Sequence, residues 1–262
     1  MYKLIFLGDK GSDALPYSNG NGGFILRVND FSFHFDPGPG TLTKAEGLGI
    51  NLANTNCVLV SHNHLTHCND LNLVVNLMTS NGMDSRGFLI STNDVIYGED
   101  TLGKKQRGYL ARASSIKPRE VVMVDTFMVS GLKTKHSVDC LGFKVSTEHF
   151  NLVYTGDTGY FNGIEKEYAD ANILIANCVK GFNSADENNL TADDVVRIIL
   201  DVKPQLVILT HFGKSLLQSP QMYLAREIYR RTKIQTIAAR DGLIIDPFSY
   251  SPELKQKSLS FY

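Results

Sequence analysis

The stretch LVSHNHLTHCND, residues 59–70, places three histidines within six positions directly behind an apolar run. A neutral imidazole donates a lone pair to zinc or another first-row ion, so this spacing predicts a metal site. His62 and His64 are two residues apart, and side chains at that spacing on extended backbone point to the same side. The pair therefore suits one ion, and His67, three residues further on in a turn, can reach a neighbouring position.

Three buried strands end at a candidate ligand: CVLVS before His62, LVYTG before Asp157 and LVILT before His211. Functional groups often gather at strand ends, where a rigid sheet holds them and loops leave space for a ligand. The segment KTKHSVDCLGF adds a further imidazole at the edge of another strand. The pattern predicts a two-metal hydrolase site. Its first ion would have His62, His64 and His136 as ligands, and its second His67, His211 and Asp157, with Asp157 shared.

The remaining histidines and the cysteines are interpreted as structural. His34 lies in a Phe-rich strand, and His149 lies in a hairpin turn. The four cysteines include no CxxC pair, which indicates reduced thiols that act as small buried hydrophobes. Cys68, beside His67, is a minor candidate to touch the predicted site.

Short apolar runs that end in turn residues predict strands along the whole chain, from YKLIFLG and FSFHF to NILIANC and QLVILT. Helices are predicted over NDLNLVVNLMTSNG and in part of TNDVIYGEDTLGKKQRGYLA. LTADDVVRIIL is predicted as a helix with Thr191 as N-cap and Asp194 completing a capping box. SPQMYLAREIYRRTK is predicted to begin a helix at Ser219-Pro220. This mixture indicates an α/β or α+β sheet protein with helices outside.

Composition sets limits on function. The 262 residues are 43% hydrophobic and 20% charged, and no linker divides them, so we expect a single domain over 1–262. The formal net charge of -1 and the lack of a basic tract disfavour a large nucleic-acid partner. The N-terminus does not read as a secretion signal and no run reaches the length of a membrane span, so we expect a cytoplasmic protein without a membrane partner.

The motifs LGDKGSD, DPGPGT, SHNHLTH, HSVDCLGF, YTGDTG, LVILTHFG and ARDG resemble, in this order, those of the metallo-β-lactamase superfamily. Within it, they are most similar to the ribonuclease Z-like phosphodiesterases. The resemblance implies a four-layer αβ/βα sandwich with a dinuclear site along its open edge. It also implies hydrolysis by a metal-bound hydroxide, with Zn²⁺ or Mn²⁺ as cofactor.

The chain departs from this family at Thr66, where the HxHxDH signature has an aspartate that binds the second ion and steadies the nucleophile. A neutral hydroxyl is a poor substitute for a carboxylate as a ligand. We therefore predict one tightly bound ion and a weaker second. The loss of a negative charge also favours an anionic substrate. Asp70, about one helical turn beyond Thr66, is a minor candidate to act through water.

A second departure is Asn189, in ENNLTADD, where ribonuclease Z-like enzymes have a histidine that protonates the leaving oxygen. An amide does not titrate near neutral pH, which leaves Glu187 or Asp186 as weaker candidates. The tRNA-clamping arm of ribonuclease Z is also absent, so pre-tRNA processing is not expected.

The sequence thus predicts a phosphodiesterase for a small anionic substrate such as a cyclic nucleotide, with Asp157, Thr66 and Asn189 at the catalytic positions. Candidate phosphate-binding and pocket-lining residues are Lys135, Lys180, Lys214 and Tyr160. Thr66 and Asn189 favour an alternative, a catalytically degenerate sensor or ligand-binding protein. Hydrolysis of a lactone, thioester or β-lactam stays open, and the family and the tail SLSFY make a homodimer possible.

Overall fold

The computed structural model describes residues 1–11 and 21–252; the predicted dimer-contact tail SLSFY lies outside them. The strands of the described residues are β1 (Tyr2–Phe6), β2 (Phe24–Val28), β3 (Phe31–Phe35), β4 (Cys57–Leu59), β5 (Arg86–Ser91), β6 (Leu110–Ser115), β7 (Val121–Val124), β8 (Phe127–Lys133), β9 (Leu141–Ser146), β10 (Asn151–Tyr154), β11 (Ile173–Lys180), β12 (Leu190–Thr191), β13 (Leu206–Thr210), β14 (Thr236–Ala238) and β15 (Ile244–Ile245). The α-helices are α1 (Thr41–Gly47), α2 (Leu65–Cys68), α3 (Leu71–Met78), α4 (Asn93–Tyr97), α5 (Lys104–Arg107), α6 (Ile164–Glu167), α7 (Ala192–Val202) and α8 (Met222–Thr232).

The strands form two sheets. The first sheet has the order β15-β1-β2-β3-β4-β5-β6, and β3 to β6 are parallel neighbours in it. The second sheet has the order β14-β13-β11-β10-β9-β8-β7, with β12 beside β11, and here β10, β11, β13 and β14 are parallel. Each sheet therefore has a block of parallel strands whose carboxyl ends meet at one edge.

The sheets face each other across the main core, which contains Phe33 and Phe35 from the first sheet and Phe143 and Ile208 from the second. The outer surface of the first sheet is covered by α1 and α3. The outer surface of the second sheet is covered by α6, α7 and α8. The order is helix, sheet, sheet, helix, which confirms the predicted four-layer sandwich.

The strand FSFHF shows how an alternating pattern builds this core. Phe31, Phe33 and Phe35 all pack into the space between the sheets, as the period of two requires. His34 faces the opposite side of the strand, is fully buried and donates a hydrogen bond from Nε2 to the Gly22 carbonyl at 3.0 Å. Burial lowers the pKa of His34 to about 4, so this imidazole is neutral and has a structural position.

Helix α7 begins as predicted. The Thr191 Oγ1 accepts the backbone N–H of Asp194 at 3.2 Å, and the Asp194 carboxylate accepts the Thr191 N–H at 3.0 Å. This reciprocal pair is a capping box, which satisfies two N–H groups that the helix itself cannot. We expect Thr191→Ala to lower the free energy of unfolding by about 1 kcal/mol, measured by urea denaturation, whereas Thr191→Ser retains most of the stability.

The predicted start of the last helix at Ser219-Pro220 is wrong. Ser219 is extended (φ −139, ψ 158) and follows a 3₁₀ turn, and helix α8 begins only at Met222. The carbonyl of Pro220 accepts the N–H of Tyr223 in the turn before the helix. The Pro signal therefore marks the approach to the helix instead of its first position.

None of the helices formed by residues 1–11 and 21–252 combines the length and the apolar character that a membrane span requires.

Candidate metal centre

The carboxyl ends of the parallel strands bring the predicted residues together. His62 follows β4, Asp157 follows β10 and His211 follows β13 directly. A backbone hydrogen bond from Leu141 N to Ser61 O, 3.0 Å, ties the end of β4 in the first sheet to β9 in the second. The cluster therefore lies where both sheets expose their carboxyl ends, the general location of sites in α/β proteins.

The first group consists of His62, His64 and His136, whose candidate ligand atoms lie within 4.8 Å of one another. His62 Nε2 is 2.8 Å from His64 Nδ1, and His136 Nε2 is 3.4 Å from the same atom. His62 is fully buried, whereas the other two rings are half-buried. One side of this group is accessible to a ligand from solvent.

The second group is buried and includes His62, His67 and Asp157. Asp157 Oδ2 lies 3.3 Å from His67 Nε2, 3.3 Å from His211 Nε2 and 3.9 Å from His62 Nε2. All six residues predicted as ligands are thus in one cluster. The carboxylate of Asp157 lies against imidazoles of both groups, as a shared ligand would.

Proton positions in the cluster follow from the partners of the outer ring nitrogens. The Ser61 hydroxyl donates to Asp36 Oδ2, so its oxygen accepts from His62 Nδ1 at 2.9 Å. His67 Nδ1 donates to Asp36 Oδ2 at 2.8 Å, and His136 Nδ1 donates to the Asn188 carbonyl at 2.9 Å. Each of these rings is thus held by its Nδ1 with Nε2 directed at the cluster, the orientation that a metal ligand needs.

Ionisation in the cluster is set by burial and by its own charges. Burial and the neighbouring His67 lower the pKa of His62 well below its usual range. Burial alone would also lower the pKa of His67, but the carboxylates of Asp157 and Asp36 outweigh it and raise that pKa to about 10. Burial would raise the pKa of Asp157, yet His211 and His67 hold it well below its usual range. The two buried carboxylates therefore favour a positive charge beside them.

Sequence reasoning missed the residues that support the cluster from behind. Asp36, in the DPGPGT motif and with a left-handed backbone (φ 47), is buried at the end of β3. It accepts hydrogen bonds from Ser61, His67 and Tyr154. Asn177 on β11 donates to Asp157 Oδ1 at 2.7 Å. The available signals were weak: Asp36 lies in the DPGPGT motif, and Asn177 is a polar residue within an apolar strand.

Thr66 lies between Leu65 and His67 on α2, and its Oγ1 is buried without a hydrogen-bond partner. The side-chain Nδ2 of Asn21 lies 3.4 Å from the Thr66 carbonyl oxygen and 3.4 Å from His211 Nδ1. Thr66 is therefore linked through Asn21 to the side of the cluster that holds His211. Its hydroxyl is the neutral group at the position where the sequence signature has a carboxylate.

Asn189 is held by its own loop. Its Nδ2 donates to Asp186 Oδ1 at 3.1 Å, and the same oxygen accepts the backbone N–H groups of Asn188 and Asn189 at 2.9 Å. The loop reaches the cluster through the Asn188 carbonyl, which accepts from His136. Asp186, a candidate proton donor, is thus engaged in this turn.

The other minor candidates, Cys68, Asp70 and Tyr160, each contact a residue outside the six predicted ligands or a backbone carbonyl. Cys68 Sγ donates to the carbonyls of Asn63 and His64, each at 3.3 Å. A second cysteine, Cys140, also lies at the cluster, with Sγ 3.6 Å from His62 Nδ1. Asp70 Oδ1 accepts the side-chain N–H of its neighbour Asn69. The ring of Tyr160 lies under the guanidinium of Arg197 at 4.1 Å.

The donor set fits divalent metal ions. His67 Nε2 and His211 Nε2 are buried and have no hydrogen bond of good geometry, although both face Asp157. A buried lone pair without a partner is costly unless a proton donor or a cation satisfies it. Five imidazoles and a carboxylate suit zinc and other first-row ions better than magnesium or calcium.

Two facing sheets between helical layers, with this cluster at their common edge, define a metallo-β-lactamase fold. A Beta-lactamase superfamily domain model matches residues 32–212. The chain therefore belongs to the β-lactamase superfamily.

Three proteins with similar sequences are as follows. The uncharacterized protein MJ1374 of Methanocaldococcus jannaschii is 28% identical over 253 residues, covering 93% of this chain and 94% of that protein. The protein named "Probable metallo-hydrolase YhfI" of Bacillus subtilis is 24% identical, covering 80% and 88%. Ribonuclease Z of Methanosarcina mazei is 26% identical over 149 residues, covering 55% and 48%.

Solved structures agree on the fold. The crystal structure of YhfI superposes with a TM-score of 0.79 at 19% identity, covering 93% of this chain and 98% of that one. A diphosphatase from the PhnP family gives a TM-score of 0.67 at 16% identity, covering 94% and 97%.

Proposed function

We propose that this protein is a metal-dependent hydrolase that cleaves a phosphodiester bond in a small anionic substrate such as a cyclic nucleotide. The observation that carries the proposal is the cluster of five imidazoles around Asp157, supported from behind by Asp36. Two similar proteins are, by name, a ribonuclease and a diphosphatase, enzymes that cleave phosphorus–oxygen bonds. Their names are an argument by analogy, because one fold hosts many reactions.

His62, His64 and His136 would hold one ion, and His67, His211 and Asp157 a second. When bound, divalent ions at such a site supply Lewis acidity, which acidifies a water molecule and stabilises charge on a phosphoryl oxygen. The chain's own contribution is to fix the imidazole tautomers through Ser61, Asp36 and the Asn188 carbonyl. Because these acceptors hold the Nδ1 protons, all three rings direct Nε2 at the cluster. The raised pKa of His67 means that an ion bound at its Nε2 would displace a proton there.

Protonation of the leaving oxygen is the step with the fewest candidates in this chain. Asn189 cannot supply a proton, and Asp186 accepts three hydrogen bonds within its turn. A phosphodiester with an acidic leaving group needs little help at this step. We therefore expect aryl esters to be much better substrates than alkyl esters.

The test is hydrolysis of bis(p-nitrophenyl) phosphate and a cyclic nucleotide panel by the purified protein, with metal content per chain measured in parallel. We expect turnover that is lost on removal of metal by a chelator and restored by Zn²⁺ or Mn²⁺. Lack of turnover of every phosphodiester at saturating metal would contradict the proposal. Turnover of a lactone, thioester or β-lactam instead would identify the carbonyl-directed alternative.

A second candidate is a degenerate sensor that binds a metal and an anionic ligand without turnover. The buried neutral hydroxyl of Thr66 favours it, because the second ion lacks a carboxylate there. Metal bound in stoichiometric amounts without hydrolysis of any substrate in the panel would support this candidate.

A further inference from the structure

Behind the cluster, five side chains form a closed ring of polar contacts. His67 Nδ1 donates to Asp36 Oδ2 at 2.8 Å, and His67 Nε2 lies 3.3 Å from Asp157 Oδ2. Asn177 Nδ2 donates both to Asp157 Oδ1 at 2.7 Å and to Tyr154 Oη at 3.1 Å. Tyr154 Oη closes the ring by donating to Asp36 Oδ2 at 2.6 Å.

The ring is buried, and each hydrogen that Asn177 and Tyr154 donate has one acceptor within it. Tyr154, Asn177 and Asp36 are at most 3% exposed, so water does not compete for these bonds. The amide of Asn177 has two hydrogens, and each is donated to one ring oxygen. The single phenolic proton of Tyr154 is directed to Asp36, so Tyr154 Oη accepts from Asn177 and donates to Asp36 at the same time.

The ring has a geometric consequence for Asp157. Asn177 holds Oδ1, which leaves only Oδ2 to face His67 and His211. Asn177 and Tyr154 lie on neighbouring parallel strands, β11 and β10, which are rigid supports. A contact made from a strand fixes a ligand more firmly than a contact made from a loop.

We propose that Asn177 and Tyr154 act with Asp36 as a positioning unit that fixes Asp157 and His67 relative to each other. Through these two ligands the unit sets the affinity of the second ion, the site that lacks a carboxylate at Thr66. The proposal rests on the metal-binding part of the proposed function and is independent of the substrate. Neither Asn177 nor Tyr154 would touch the substrate or the ion.

The chain offers a matched control for each member. Tyr168 is a fully buried tyrosine whose Oη has no hydrogen-bond partner, so Tyr168→Phe removes the same atom as Tyr154→Phe without opening the ring. Asn72, on α3, has a side-chain amide that donates to Thr101 O and accepts from Gly103 N, outside the ring. Asn72→Leu is thus the control for Asn177→Leu.

The experiment is a titration of the metal-free proteins with Zn²⁺ in competition with a chromophoric chelator, together with the visible spectrum of the Co²⁺-loaded proteins. We expect Tyr154→Phe and Asn177→Leu each to weaken the second binding step by about tenfold or more and to alter the Co²⁺ spectrum. The first binding step and both control variants should stay close to the parent. The double variant should lose little more than either single variant, since opening a ring once removes its constraint.

Several results would overturn the proposal. One is a parent protein that binds a single ion. Another is a Tyr154→Phe variant that binds the second ion as tightly as Tyr168→Phe does. A third is a double variant whose loss of second-ion binding free energy equals the sum of the losses in Tyr154→Phe and Asn177→Leu. Thermal unfolding of each metal-free protein identifies an Asn177→Leu chain that fails to fold, in which case Tyr154→Phe decides. The metal titration does not depend on hydrolysis. If the ring variants weaken the second ion but the parent hydrolyses no substrate, the positioning unit is supported and only the proposed function is contradicted.

Discussion

Alanine in place of His62 is expected to remove phosphodiesterase turnover almost completely, lowering kcat/KM for bis(p-nitrophenyl) phosphate by about a thousandfold or more. His62 is the residue shared by both candidate ligand groups. Its ring centroid lies 4.2 Å from that of His67 and 4.9 Å from that of His136. Its loss therefore removes a ligand of the first ion and the ring that packs against His67, a ligand of the second.

The measurement is steady-state kinetics at several Zn²⁺ and Mn²⁺ concentrations, with metal content determined on the same samples. His149→Ala is the control, because it removes an imidazole at the far end of β9, where the ring packs against Tyr2 and Phe248. This control should retain full metal content and turnover. A His62→Ala protein with parental metal content would show that the cluster is not the metal site.

The metal cluster was predictable from sequence because its ligands are rare residue types in short, regular spacings. His62, His64 and His67 lie within one segment, and His211 and Asp157 follow strands that a continuous apolar run identifies. The rule that carboxyl ends of parallel strands share an edge then brought the distant members together. His136 was harder to place, since its loop is held by contacts with distant residues, Lys135 with Thr158 and the ring of His136 with Asn188.

The ring behind the cluster was not predictable in the same way. Tyr154 and Asp36 are 118 residues apart in the chain, and Tyr154 sits in an apolar strand where an aromatic residue is expected for packing. Asn177 interrupts the apolar strand NILIANC, which was a signal that a buried amide must find partners. Its partners, however, follow from the pairing of β10 with β11 in register, which no local pattern specifies.

The start of α8 shows the limit of local signals at helix ends. Proline at the first helical position is a common arrangement, but proline also suits the turn before a helix. The 3₁₀ turn Lys214–Gln218 after His211 determines where the chain can enter the helix. That turn lies in the loop after β13 and has no buried residues, so no apolar pattern in the sequence predicts it.

Aspartate in place of Thr66 should have opposite effects on the metal-free and the metal-loaded protein. In the metal-free state the new carboxylate is buried without a metal ion, and burying an uncompensated charge costs several kcal/mol. With metal present the same carboxylate becomes a ligand to the second ion. A tenfold gain in affinity adds about 1.4 kcal/mol of stabilisation at fixed excess metal.

Urea unfolding in a chelator and in excess Zn²⁺ measures both effects, and Thr66→Asn separates charge from shape because its side chain is nearly isosteric with aspartate. We expect Thr66→Asp to be less stable than Thr66→Asn in the chelator and to gain more from Zn²⁺. Equal gains in the two variants would show that residue 66 does not reach the second ion. The stronger second site of Thr66→Asp should also tolerate Tyr154→Phe better than the parent does, because a new charged ligand compensates for a less firmly held Asp157.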